Sequence, residues 1–138
     1  MSEHERLYPQ ATLALAEQRR RLAPAPAEAF RAFSRSVFAE GELDVRMKQL
    51  IAVAVAHVTQ CPYRIRSHTG AAMRHRATAE AIMEAICVAA EMRGGAAYAH
   101  SALALDTITH YHAEQASNPG ATADVPEERA EANMGGVR

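Results

Sequence analysis

The sequence has no tryptophan, three phenylalanines, four tyrosines and only two cysteines in 138 residues. That shortage argues against a β-sandwich, which fills its core with aromatic and β-branched side chains. Cys61 and Cys87 are too few for a disulfide-knit scaffold, and a reducing compartment would keep both as thiols. A surplus of one charge is missing too. Lys and Arg number 15 against 16 Asp and Glu, a formal net charge of −1, so the global basic footprint of a nucleic-acid binder is absent. The longest apolar run, Leu50 to Ala56, ends at His57 and is too short to cross a bilayer. The first ten residues, MSEHERLYPQ, mix both charges without the apolar stretch of a secretory signal, which makes the cytoplasm the expected location.

What is abundant is alanine, at 31 positions in a composition that is 49% hydrophobic. Small side chains in that number suit closely packed helices, so the expected class is all-α, a bundle of about six helices. Pro24 and Pro26 interrupt the first Ala-rich stretch, and Phe30, Phe33 and Val37 then follow at helical spacing up to Gly41, which predicts two helices before residue 41. From Leu43 to about Thr59 a helix opens near Asp44; its second half is apolar nearly all round, so it is predicted to be the buried central helix. Pro62 fits the first turn of the next helix, because its missing N–H would have been unpaired there. Thr78 is placed to cap a further helix that ends at Gly94-Gly95, and a last helix runs from Ala96 to about Gln115.

The break at Gln60-Cys61-Pro62 sets Cys61 at a helix N-cap. On that helix Cys61, Arg64 and His68 are three and four residues apart and share one face. The positive end of the helix dipole, the guanidinium and the imidazole all favour the thiolate, the nucleophilic form, so Cys61 is the candidate reactive residue. Its bland alternative is a small buried side chain closing a turn. The stretch from Pro62 to Arg76 carries Arg64, Arg66, Arg74 and Arg76 with no acidic residue, a stripe that either attracts an anion or balances Glu80, Glu84 and Glu91. His57 is expected to be a hydrogen-bonded core histidine, Cys87 to be buried, and Met47, Met73, Met83 and Met92 to fill the core. His110 and His112 are two apart and diverge on a helix, so no metal site and no cofactor are expected.

The helix KQLIAVAVAHVTQ leading into CPY, the histidine seven residues after the cysteine, the segment TAEAIMEAICVAAEMR and the segment GGAAYAHSALALD together resemble the carboxymuconolactone decarboxylase and AhpD-like proteins. The resemblance runs from about Leu43 to His110. It implies a compact all-α domain over residues 10–116, assembled as a homo-oligomer: a dimer, trimer or hexamer. Residues 1–9 form an extension, and 117–138, with few large apolar residues and many turn formers, are read as a disordered tail. In the AhpD branch a glutamate, a Cys-x-x-Cys pair and a following histidine reduce peroxides with electrons from a partner thiol. This chain keeps the first cysteine as Cys61 and the histidine as His68, but has Gln49 at the glutamate position and Arg64 at the second cysteine position. An arginine forms no disulfide and a glutamine carries no proton, so the dithiol cycle does not run here.

Three readings stay open. Cys61 acts alone as a thiol-dependent peroxidase or oxidoreductase, with His68 moving protons and an external thiol as reductant. Alternatively, Arg64 anchors a small carboxylate or lactone as in the decarboxylase branch, with His68 handling a proton. Or the pocket binds a ligand without chemistry. Gln49, Tyr63, Arg64 and His100 are the expected substrate-binding residues.

Overall fold

The computed structural model describes residues 8–118 and 120, and among them it holds six helices and no strand. They are α1 (Leu13–Leu22), α2 (Pro24–Val37), α3 (Val45–Val58), α4 (Pro62–Arg74), α5 (Ala79–Ala99) and α6 (Ser101–Ser117). The all-α expectation holds. Helix starts follow the capping residues: Thr12 Oγ1 accepts from Leu15 N at 3.3 Å, Asp44 Oδ1 from Met47 N at 2.7 Å, and Thr78 Oγ1 from Ala81 N at 3.1 Å. Each such cap contributes about 1 kcal/mol by pairing an N–H that the helix leaves open. α2 takes in Pro24 and Pro26, because prolines are tolerated in a first turn.

Gly94-Gly95 does not end α5, contrary to the sequence expectation. A glycine weakens a helix by about 1 kcal/mol relative to alanine but terminates it only by turning left-handed. Neither glycine does so, and the helix continues to Ala99, with the break at His100.

Two turns are made by residues the sequence did not mark. Gln60 has φ 54° and Arg76 has φ 63°, both left-handed without being glycine. After α3, Cys61 N donates to Ala56 O at 3.2 Å; after α4, Ala77 N donates to Ala72 O at 2.9 Å and Arg76 N to Met73 O at 2.9 Å. These are Schellman closures, which pair the last carbonyls of a helix with backbone donors just beyond it. Arg93 Nη1 donates to Val58 O at 2.7 Å and satisfies another carbonyl at the end of α3.

Val53 and Ala72 are wholly buried where α3 packs on α4, and Ala77, Ile82, Leu50 and Ile86 close around them. Burying Val53 contributes about 1.5–3 kcal/mol. Four of the six buried apolar residues are alanines: Ala56, Ala72, Ala77 and Ala89. The alanine excess therefore serves close helix approach, as read from composition.

That small core leaves other faces uncovered. Of α3 only Gln49, Val53 and Ala56 are buried, while Ile51, Val55 and Val58 are exposed, so the helix is not buried all round. Met47, Met73, Met83 and Met92 are exposed rather than core fillers, and Cys87 is exposed rather than buried. In each case the alanine-built contact uses one stripe of the helix and the remaining apolar side chains lie outside it. His57 is half-buried, its Nδ1–H donating to Val53 O at 2.8 Å.

The chain divides into two compact units between Gly95 and Ala96. The first contains α1 to α4 and most of α5; α1 packs on α2 within it. In the second, His110 pairs with Asp106 at 3.4 Å on α6, and Leu103, Leu105 and Ile108 are exposed. Most of the tail expected over 117–138 lies outside the described residues, as do residues 1–7 of the N-terminal extension.

Candidate functional site

Cys61 is the N-cap of α4, with Pro62 following as the first helical residue, and its side chain makes no capping hydrogen bond. The thiol is half-buried. Its backbone is held from both sides, by the bond to Ala56 O and by Ile65 N, which donates to Cys61 O at 3.0 Å.

Arg64, one turn on, lies with its guanidinium 5.7 Å above the Phe30 ring, a cation–π contact from α4 to α2. One turn further, the His68 imidazole stacks on Phe38 at 5.1 Å with the rings 26° apart. His68 Nδ1 lies 2.8 Å from Gln49 Oε1. An amide oxygen only accepts, so Nδ1 carries the proton and Nε2 is left with a free lone pair. Burial, and then the positive charge of Arg64, hold His68 below its ordinary pKa of 6.5. At neutral pH the side chain is therefore an uncharged base of fixed tautomer. Gln49, 7% exposed, is the one buried polar residue among those described, and its side-chain oxygen is used to orient this ring.

Two cavities meet this group. The larger, about 660 Å³, is lined by Cys61, Tyr63 and Arg64 from α4 and by Leu15, Arg19 and Leu22 from α1. The smaller, about 240 Å³, is lined by Ala52, Val55, Ala56, Thr59, Arg64 and His68. Arg64 borders both, with the thiol on one side and the imidazole on the other. In the wall of the larger cavity, the Tyr63 hydroxyl donates to Pro9 O at 2.8 Å, with Tyr8 edge-on to its ring at 6.1 Å.

The structure thus gathers Gln49, Cys61, Tyr63, Arg64 and His68 in the first unit. His100 caps α6 in the second unit. Sequence reasoning missed Phe30, Phe38 and Arg19. A signal for two of them was present in scarcity: the chain has three phenylalanines, and two sit under the site's cationic and basic side chains. Among the described residues no group of three or more His, Cys, Asp or Glu is placed to hold a metal, and no helix is long and apolar enough to cross a membrane.

The described residues fold into helices alone, with a thiol at the N-cap of one helix and an imidazole two turns further on. The chain belongs to the carboxymuconolactone decarboxylase family, whose model matches residues 24–107. It is 61% identical over 100 residues to a Paracoccus denitrificans protein described as uncharacterized protein 4 in the cox locus, covering 72% of this chain and 89% of that one. An uncharacterized protein of Cupriavidus necator is 41% identical over 83 residues, covering 59% and 74%. A crystal structure from Methanobacterium thermoautotrophicum matches with a TM-score of 0.58 at 32% identity, covering 64% of this chain and 96% of that one. The apo form of a carboxymuconolactone decarboxylase family protein from Legionella pneumophila matches with a TM-score of 0.56 at 28% identity, covering 71% and 88%.

Proposed function

We propose that the chain is a one-cysteine, thiol-dependent peroxidase or oxidoreductase centred on Cys61, with His68 as proton carrier. The observation that carries this is the placement of Cys61 at a helix N-terminus, opening on the larger cavity beside Arg64. Cys61 gives up its proton, for which the neutral His68, across Arg64 from the thiol, is the nearby base, and the sulfur attacks one oxygen of the hydroperoxide. The O–O bond breaks, Cys61 becomes a sulfenic acid, and the departing alkoxide recovers the proton as an alcohol. An external thiol then returns the sulfur to its reduced state. Arg64, shared by both cavities, offers its charge to the thiolate and to the polarised peroxide. Peroxide titration followed by mass spectrometry should add one oxygen at Cys61 in the wild type and in Cys87→Ser. Unmodified Cys61 under excess peroxide would refute the reading.

The neutral base beside a guanidinium in the smaller cavity favours a second reading, in which Arg64 anchors a small carboxylate or lactone and His68 exchanges its proton. Thermal stabilisation by small dicarboxylates, lost in Arg64→Ala, supports it; no stabilisation of either protein removes it. We further propose a cytoplasmic homo-oligomer. Exposed Met83, Val88 and Met92 on α5, and separately Leu103, Leu105 and Ile108 on α6, are apolar side chains that assembly would take out of water. A 15 kDa species in sedimentation at micromolar concentration would exclude assembly.

A further inference from the structure

We propose that the cavity beneath α1 is the docking site of the reductant of Cys61, and that this reductant is a low-molecular-weight thiol carrying carboxylates. The inference rests on the thiol reading above and deepens it by naming the partner's chemistry.

Three observations converge. The cavity, about 660 Å³, lies within the size range of small-molecule sites and has the thiol in its wall. Its lining holds two guanidinium groups, Arg19 and Arg64, and no acidic side chain. Neither arginine has an acidic partner among the described residues, whereas neighbouring Arg20 is paired with Glu17. Two guanidinium groups from different helices, with no acidic partner among the described residues and with Cys61 in the wall of the same cavity, select an anion that reaches that sulfur. Gln10 and Gln18 add amide donors and acceptors to the lining, which suits a peptide-like thiol with carboxylate ends. The arrangement also argues for a small molecule over a protein thiol. The segment carrying α1 is tied over the cavity by Tyr63 Oη donating to Pro9 O at 2.8 Å, and Cys61 is half-buried beneath it.

The chemistry balances with this reductant. The sulfenic acid condenses with one thiol to a mixed disulfide and releases water. A second thiol attacks the mixed disulfide, freeing Cys61 as a thiol and leaving the oxidised reductant as its disulfide. Two electrons pass from two thiols to the sulfur that the peroxide oxidised.

The test uses disulfide exchange and no peroxide, so it separates this proposal from peroxidase activity. In the Cys87→Ser protein, the rate at which Cys61 forms a mixed disulfide is measured by intact mass spectrometry. The probes are glutathione disulfide, which is anionic, hydroxyethyl disulfide, which is neutral, and cystamine, which is cationic. The glutathione-to-cystamine rate ratio should exceed that of a free cysteine peptide. It should fall about five- to tenfold in Arg19→Gln, recover in Arg19→Lys, and collapse at high salt. Charge selectivity with no peroxide oxidation keeps the docking site and removes the peroxidase. Sulfenic acid formation with a ratio untouched by Arg19→Gln does the reverse. Equal rates for all probes, no exchange with any of them, or faster reduction of the mixed disulfide by a thioredoxin-type protein in wild type and Arg19→Gln alike overturns the proposal.

Discussion

Replacing Gln49 by glutamate should turn His68 from a proton acceptor into a cation at neutral pH. In the wild type, Gln49 Oε1 accepts from Nδ1 at 2.8 Å without carrying charge, and burial together with Arg64 keeps the imidazole below 6.5. A glutamate would set a carboxylate in the same place. An opposite charge that close raises a histidine pKa by about one to three pH units, each worth about 1.4 kcal/mol. Position 49 is 7% exposed, so water screens the pair little. His68 would then hold protons on both nitrogens near pH 7, and Nε2 would donate where it now accepts. Any reaction that needs His68 as a base should slow at neutral pH and recover only in more alkaline solution. Nitrogen-detected NMR titration of the histidines reads both the midpoint and the tautomer. Wild-type His68 should be the Nδ1–H tautomer with a midpoint below 6.5, and Gln49→Glu should move the midpoint upward. Arg64→Gln should raise it more modestly, since burial is the larger cause and stays. A wild-type midpoint at or above 6.5, a neutral Nε2–H tautomer, or no upward movement in Gln49→Glu would refute the reasoning.

Stability should carry the same signature. Because folding lowers the pKa of His68, the unfolded chain binds more protons at and below pH 6.5, so stability contributed by the neutral ring is complete above that value and is lost as pH falls. Urea midpoints measured from about pH 7.5 to about pH 5 should drop more in the wild type than in His68→Gln. Arg76→Gly should stabilise by about 0.5–1 kcal/mol, because glycine adopts the left-handed turn without the Cβ clash but loses more chain entropy on folding; an unchanged or lower melting temperature contradicts this. Asp44→Ala should cost about 1 kcal/mol through loss of the bond to Met47 N, checked by chemical denaturation. Tyr63→Phe should loosen residues 8–22 with little loss of global stability, seen as faster amide exchange confined to that segment.

Much of the architecture was legible because it is written locally. Asp44, Thr78 and Pro62 announce helix starts through the backbone N–H groups they pair or replace, and the N-cap position of Cys61 follows from Pro62 alone. The pairing of Gln49 with His68 was partly legible, since His68 matches the family pattern and Gln49 stands where that pattern has a glutamate. What was not legible depends on neighbours distant in sequence. Gly94 and Gly95 looked like a stop because glycine permits one, yet permission is not a requirement and α5 runs on. Gln60 and Arg76 take left-handed turns that their side chains do not advertise; the geometry is imposed by the Schellman bonds. The methionines and Cys87 looked buried because they are apolar, but a core built mainly from alanine has a small perimeter and does not reach them. In the sequence Phe30 marks only helical spacing and Phe38 does not stand out, yet they carry Arg64 and His68, contacts between residues far apart in the chain that local spacing does not reveal.

The turn between α3 and α4 has a consequence for how this site can change. Main-chain bonds hold Cys61 in it, Cys61 N on Ala56 O and Ile65 N on Cys61 O, and the side chains that join the turn, Thr59 Oγ1 on Val55 O and Arg93 Nη1 on Val58 O, are not those of residues 61, 64 and 68. The spacing from the end of α3 to the thiol, and from the thiol to positions 64 and 68, is therefore set without the side chains at those positions. Chemistry and scaffold are separate modules here. A side chain at position 61, 64 or 68 is delivered to its place by the backbone, whatever group it carries.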